Sequence, residues 1–450
     1  MGKHRILGTT ALVALAVGTT QALAGGLALR EQSAWGEGAS YAGVAAGGSV
    51  SAMFWNPATM TQTGKFALEN SAALVFPQSS QTGTNNVAAL LGLPPAFQGL
   101  SLNDGTPNSS QAAFVPSAYA TFQLNDRLWA GVSVNSPFGL SVAFQNPNWA
   151  GAFYGESSTL RTYNFAPNVA YKLADWISVG VGFQAQYATV NLVNATGIVP
   201  PVLPATAASV NLGQLTGDGW GFGWTAGVTV TPTPWTQIGL GYRSAVNQSI
   251  GGSFSTNGVG GTPGPVSTTI KLPDSASLGV RQGLTTQLAI LGTVEWTGWK
   301  RIGTSVISQP NGQAALAPSG APVTVPFQWN DGWFYSIGLE YVATPAWTFR
   351  GGVGFEKSPI TDQVRIPLLP DNDRTWFSVG ATNKVTNIIS VDLAYSFVDV
   401  KNTPINVVPG NPSFNGLVTY NGTSRANVSI LSLGVKFKLD EPPPAVATRG

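Results

Sequence analysis

The 450-residue chain has no cysteine and a single histidine, and both scarcities exclude chemistry. Without cysteine there is no disulfide framework, no thiolate nucleophile and no thiolate metal ligand. The one histidine, His4, lies in a leader-like segment, so the remaining chain has no imidazole for a Ser-His or Cys-His mechanism or for a His-ligated metal. An enzyme, a metal and a cofactor are therefore not expected. Charge is scarce too: 9% of residues are charged, against roughly 25% in soluble domains. Beyond residue 25 no apolar run approaches the ~18 residues of a transmembrane helix. A chain poor in charge and without helical spans is left with the other architecture that satisfies its backbone within lipid, a closed β-barrel.

The first residues set the compartment. Lys3, His4 and Arg5 are followed by an apolar stretch from Ile6 to Val17 and by Ala22-Leu23-Ala24, the basic, apolar and small-residue regions of a secretory signal peptide over 1–24. An anchoring helix is the alternative, but the run is too short and ends in Gly18-Thr19-Thr20-Gln21. Removal of Lys3 and Arg5 leaves twenty basic and twenty acidic residues, so no net field steers nucleic acid to the chain.

What is present is period-two alternation. Ile177, Val179, Val181, Phe183, Ala185 and Tyr187 alternate with Ser178, Gly180, Gly182, Gln184 and Gln186, and similar alternation runs through Ile238/Leu240/Tyr242, Ile337/Leu339/Tyr341 and Val391/Leu393/Tyr395/Phe397. One face is greasy and the other small or polar, as in a transmembrane barrel. Fourteen strands are expected near 65–76, 113–124, 127–142, 158–173, 176–192, 216–232, 235–254, 266–283, 285–299, 323–343, 346–358, 372–384, 388–402 and 425–439. Tight turns at Asn125-Asp126, Ala174-Asp175, Pro232-Thr233-Pro234, Gly283-Leu284, Thr344-Pro345 and Val385-Thr386 alternate with longer loops. Of those loops, 77–112 has an apolar interior from Val87 to Leu93 and at Phe97, either its own small core or a landing surface for a hydrophobic ligand. The third strand contains its own obstacle, Asn135-Ser136-Pro137-Phe138-Gly139. Proline cannot donate to the ladder and the adjacent glycine marks a bulge or bend.

Several stretches in chain order resemble the FadL family of outer-membrane transporters for long-chain fatty acids and other hydrophobic compounds. They are Gly25-Gly26-Leu27, Asn56-Pro57-Ala58, Asn135 to Gly139, Gly217 to Trp224, Leu272-Pro273-Asp274, Glu295 to Trp299 and Leu369 to Arg374. Ser432 to Leu439 is similar to the final-strand signal read by the barrel assembly machinery, although Asp440 to Gly450 follows it as a tail.

The resemblance implies an all-β fold, a fourteen-stranded antiparallel transmembrane barrel over 65–439 plugged by an N-terminal hatch over 25–64. Sixteen strands leave an aqueous channel and eight fill themselves, so fourteen need a plug. Trp35, Tyr41, Phe54 and Trp55 want the burial a plug provides. Within it Gly25, Leu27, Leu29, Asn56, Pro57 and Ala58 are the expected ligand and hatch residues. Asn135, Pro137, Phe138 and Gly139 are the expected lateral opening, through which a ligand passes sideways into the membrane. The competing reading of the break is a bulge that serves barrel curvature alone. Arg161 and Arg243, both expected to face inward, and Asn330, where family members often carry lysine, are the expected head-group contacts. The implied ligand is a long-chain fatty acid, with a neutral hydrocarbon as the alternative that Asn330 favours and a general porin or adhesin behind both. The implied partners are that ligand, outer-membrane lipid, lipopolysaccharide and the barrel assembly machinery, with the chain acting as a monomer.

Overall fold

Each stretch of alternation becomes a strand, because a period of two puts all apolar side chains of a stretch on one face. The computed structural model describes residues 26–85, 105–107, 112–144, 149–199, 209–256, 263–315, 322–416 and 418–439. The expected signal peptide, Gly25, the apolar interior of loop 77–112 and the tail lie outside the described residues.

Strands β1 (Phe66–Asn85) and β2 (Ala113–Asn125) lead into β3, which comes in two pieces, Leu128–Asn135 and Gly139–Ala143. Next come β4 (Ser157–Ala174), β5 (Ile177–Val199) and β6 (Ser209–Thr233). β7 and β8 are each interrupted once, as Thr236–Arg243 with Val246–Thr256, and Gly264–Leu272 with Ser275–Gly283. β9 (Leu288–Thr297), β10 (Gly332–Val342), β11 (Trp347–Lys357), β12 (Arg374–Lys384), β13 (Ile389–Val407) and β14 (Tyr420–Leu439) complete the set. Neighbours are antiparallel, and β14 returns to β1 in register from Phe66↔Leu439 to Asn85↔Tyr420. The sheet thus closes into a fourteen-stranded barrel.

Strand boundaries differ from expectation in two ways, each with an identifiable reason. β1, β5, β6 and β13 run well past the apolar alternation, since a strand projecting beyond the lipid still satisfies its backbone but no longer needs a greasy face. The expected strand at 323–343 is two things. Thr324–Pro326 pairs with Thr304–Val306 in a separate hairpin, and the positive φ of 48° at Gln328 turns the chain before β10 begins.

The outer face is apolar and exposed: Phe165 and Val169 on β4, Ile337 and Leu339 on β10, and Leu431 and Leu433 on β14 face away from the lumen. The inner face carries small and polar side chains, and residues 26–64 fill the space it encloses. That segment holds one short helix, α1 (Ala34–Glu37), and three 3-10 turns. Ser33 caps α1 by accepting from Gly36 N at 3.0 Å. Asn56 caps the last turn, whose first residue is Pro57, where a missing N–H costs nothing. Trp35, Tyr41 and Trp55 are all buried.

The plug meets the wall backbone to backbone, at wall positions that have no side chain. A Cβ on Gly180 would stand 2.5 Å from Ala58 N, on Gly239 1.8 Å from Ala45 O, and on Gly352 2.2 Å from Ala39 O. The inward glycines are therefore the seats of the hatch. Charge ties it down as well, because Arg30 reaches Glu295 on β9 at 2.8 Å and Glu356 on β11 at 3.3 Å.

Candidate functional site

At the break in β3 the wall loses its ladder. The lower piece of β3 pairs with β2 from Asn125↔Leu128 to Ala118↔Val134. Above that point, among the described residues, Ala113 to Ser117 of β2 form a ladder with β1 and Gly139 to Ala143 form one with β4, and the two segments form none with each other. Pro137 lies between the two pieces, where it removes a donor, and Asn135 to Gly139 are all buried.

The hatch supplies the partners that β2 withholds. Leu29 N donates to Pro137 O and Gly139 N donates to Leu27 O, both at 2.8 Å, with Ala28 and Phe138 forming an antiparallel bridge. Gln32 spans the interval between β2 and β3. Its Nε2 donates to Ser136 O at 2.8 Å, while its carbonyl accepts from Ser117 Oγ at 3.0 Å and Tyr119 OH at 2.8 Å. On the fourth strand Thr162 Oγ1 both accepts from Phe138 N and donates to Phe138 O, and Asn164 Nδ2 donates to Asn135 Oδ1 at 3.2 Å. The carbonyls of Ser136, Pro137 and Phe138 and the N–H groups of Phe138 and Gly139 are thus bonded to the plug and to side chains.

Above the hatch lies an apolar cluster. Phe138, Leu140, Leu160, Leu272, Trp299 and Trp329 line it, with Leu27 of the hatch below and Trp149, Tyr154 and Leu368 packed in the same cluster from the connecting loops. Phe138 meets Trp299 edge-on at 6.0 Å, and Trp299 meets Trp329 at 5.1 Å. The same residues that line this region reach the break, so an apolar molecule held there would touch the interrupted wall.

Of the expected hatch residues, Leu27 and Leu29 pair with the break, while Asn56, Pro57 and Ala58 seat the far end of the plug. The expected head-group contacts do not converge. Arg161 lies on β4 in parity with exposed Tyr163 and Phe165 and opposite buried Leu160 and Thr162. That alternation turns it away from the lumen and corrects the inward expectation. Its Cα pairs with Gly139, so it sits on the outer face at the height of the break. Arg243 ends the lower piece of β7, buried beside the hatch, with its guanidinium 4.2 Å from the Phe54 ring centroid. Asn330 is exposed next to buried Trp329, its N–H bonded to Pro359 O.

Three residues of the plug escaped the sequence reading: Gln32, Glu31 and Glu37. All are at most 4% exposed. Burial pushes the Glu31 carboxyl up to about 7 against a backbone hydrogen bond that lowers it. Burial likewise pushes Glu37 up to about 8, opposed by the bond it accepts from Ser432 Oγ. A polar or acidic residue in a small, apolar, glycine-rich stretch was the available signal.

A lipid-facing barrel of fourteen strands with its lumen plugged defines an outer-membrane protein of the bacterial cell. The chain belongs to the outer membrane protein transport family OMPP1/FadL/TodX, whose model matches residues 15–439. It is similar to the long-chain fatty acid transport protein of Salmonella typhi, 28% identical over 430 residues that cover 88% of this chain and 92% of that one. Among solved structures, a FadL homologue of Pseudomonas aeruginosa superposes with a TM-score of 0.79 at 21% identity, over 92% of this chain and 100% of the other. The toluene transporter TodX of Pseudomonas putida superposes with a TM-score of 0.62 at 16% identity, over 91% and 98%. At these identities the two structures speak for the fold.

Proposed function

We propose that the protein is a passive channel for a hydrophobic small molecule, which it takes from outside the cell, holds in the apolar region above the hatch and releases sideways through the break in β3. The observation that carries this reading is the wall between Ala113–Ser117 and Gly139–Ala143, where the two strands share no ladder and hatch residues fill in. An unpaired backbone group facing lipid costs several kcal/mol, so a break closed by a movable segment favours a door over a device of curvature. Sideways release also spares an apolar molecule an aqueous exit.

Long-chain fatty acids are the first ligand class, supported by what the curated relatives transport and by Arg243, a buried cation that makes no direct ion pair among the described residues, with Glu295 the carboxylate that shares its cavity. Uptake of neutral hydrocarbons by the same route is the second reading, supported by Asn330 in place of a cation and by the resemblance in fold to a toluene transporter. Asn330 would meet a head group at the rim of the apolar region, and Arg161 would meet it only as it emerges through the wall. A general porin is disfavoured by a lumen full of hatch. The chain works as a monomer without cofactor or catalysis, surrounded by outer-membrane lipid and lipopolysaccharide and delivered by the barrel assembly machinery.

The test is to close the wall. Pro137→Val with Gly139→Thr restores a donor and two β-favouring residues. Uptake of a fatty acid or alkylbenzene should fall sharply while the protein still reaches the membrane and binds ligand. Wild-type transport by a variant with a continuous β3 would sink the lateral route and send the ligand through the hatch.

A further inference from the structure

The first described residue of the hatch sits in a closed pocket. Gly26 is buried, its φ of +64° lies in the left-handed region, and a Cβ there would stand 3.0 Å from the Trp299 ring and 3.2 Å from that of Trp329. Its N–H donates to Asp371 Oδ2 at 3.1 Å. Asp371 is 3% exposed and lies just before β12. The same oxygen accepts from Ser358 Oγ at 2.5 Å, and Oδ1 is paired with the Arg374 guanidinium.

Asp371 ends a buried ion-pair network that is short of one cation. Arg30 of the hatch pairs with Glu295 at 2.8 Å and with Glu356 at 3.3 Å, and Arg374 pairs with Glu356 at 3.8 Å and with Asp371. Three carboxylates thus share two guanidiniums, and every side chain in the network is at most 10% exposed. Arg365 bonds the Asp371 carbonyl but pairs with Asp362. Arg243 lies across a small cavity from Glu295, at the end of the network away from Asp371, and makes no ion pair with it. Glu31 lies in the field of Glu356, Arg30 and Arg374, and burial favours its neutral form. An uncompensated buried charge is costly. The neutral N–H of Gly26 satisfies a lone pair of Asp371 and leaves the charge unmatched.

We infer that the missing cation is the α-ammonium group of Gly25, created when the signal peptide is removed, and that this removal is a step in seating the hatch. Gly25 lies outside the described residues. Standard bond lengths nevertheless hold its nitrogen within about 3.7 Å of Gly26 N, hence no more than about 7 Å from Asp371 Oδ2 in any conformation. Cleavage hydrolyses the Ala24–Gly25 peptide bond: the oxygen of water goes to the Ala24 carbonyl carbon as carboxylate, and both protons go to the Gly25 nitrogen as ammonium. At neutral pH most of it stays charged. Before cleavage the same nitrogen is a neutral amide that draws Ala24 and the leader behind it toward a pocket walled by two tryptophans. Afterwards it is small, charged and close to a buried carboxylate. Leu27 O and Leu29 N, next along the hatch, bond Gly139 N and Pro137 O. An N-terminus held at Asp371 therefore also steadies the segment that fills in for β2 at the break.

The test uses the full chain, exported with its own leader and purified from the outer membrane. Its intact mass should place the first residue at Gly25, and a start at any other residue would overturn the inference. Methylation of the α-amine by formaldehyde and borohydride, read on the N-terminal fragment by mass spectrometry, should run at least tenfold slower in the folded protein than in the unfolded chain. Asp371→Asn keeps an acceptor for Gly26 N and loses the charge. It should bring the methylation rate to within about twofold of the unfolded chain and raise the frequency of openings in planar bilayers. Insertion of Ser-Ser between Gly25 and Gly26 preserves the residues around the cleaved bond and moves the ammonium two residues away. It should have the same two effects, and it carries the test if Asp371→Asn fails to form a heat-resistant barrel. The two changes combined should add little to either alone, because both break one pair. An α-amine that reacts as fast in the folded wild type as in the unfolded chain, or an inserted variant that opens no more often than the wild type, would overturn the pair and leave Asp371 a clamp for the Gly26 N–H alone.

Discussion

Asn56 of the hatch and Gly227 of β6 fit as a side chain into the space of a missing one. The amide of Asn56 donates to Val228 O at 2.9 Å and to Ala45 O at 2.7 Å, and a Cβ on Gly227 would stand 2.0 Å from Asn56 Oδ1. One side chain thus joins the wall to two parts of the plug. Asn56→Ala removes those bonds and the cap on Ala58 N, each worth about 1–3 kcal/mol where a buried partner is left unpaired. The barrel should form, but its plug should unseat, seen as frequent openings in planar bilayers. Gly227→Val should do the same by exclusion. Closed recordings from both variants would mean that the glycine seats are incidental.

Gln32 makes a sharper case, since among the described residues its side chain alone reaches the freed carbonyl of Ser136. Gln32→Ala leaves that carbonyl without its donor and should lower stability by about 1–3 kcal/mol. Under the proposed sideways release, the bond belongs to the closed wall alone, so the initial uptake rate should rise while ligand affinity stays the same. An unchanged rate together with an unchanged melting temperature would remove Gln32 from the gate.

How much of this was legible in the sequence depends on whether a residue faces lipid. Phe165, Ile337 and Leu433 announce their strands because lipid demands an apolar outer face at every second position. Above the membrane that demand ends, so the extensions of β1 to Asn85 and β13 to Val407 left no alternation to read. The same parity rule, read in the wrong phase, put Arg161 in the lumen; Leu160 and Thr162 fix the phase of β4 and place it outside. Pro137 marked the break in β3. Pro273 carried the same signal for the interruption of β8 but was read only as part of a motif, and the interruption of β7 at Ser244 has no proline to mark it. Inward glycines read only as small residues. Their role as seats depends on which hatch atom lies opposite, and no local pattern encodes that.

The plug itself is open to a direct test. Residues 26–64 fill the lumen, and fourteen strands without a filling should pass water and ions. Deleting 26–64 should raise single-channel conductance from near zero to porin-like values. If conductance stays small in a barrel that has folded, the connecting loops that carry Trp149 and Leu368 close the channel from above, and the hatch has another purpose.

The acidic residues of the hatch give the plug a pH dependence with a definite sign. Glu37 is fully buried, one carboxylate oxygen accepting from Ser432 and the other without a partner, and burial lifts its pKa from the ordinary 4.5 to about 8. Glu31 shifts the same way, to about 7. The seated hatch therefore holds protons that an undocked hatch, with ordinary carboxyls, gives up. Its stability is full below about 4.5, declines as pH rises, and stops declining above about 8. Opening probability in planar bilayers should accordingly be higher at pH 8.5 than at pH 5. Glu37→Gln, which keeps the neutral shape and cannot ionise, should flatten most of that rise and leave the smaller contribution of Glu31. A variant that opens with the wild-type pH profile would place the titrating group elsewhere and make Glu37 a packing residue alone.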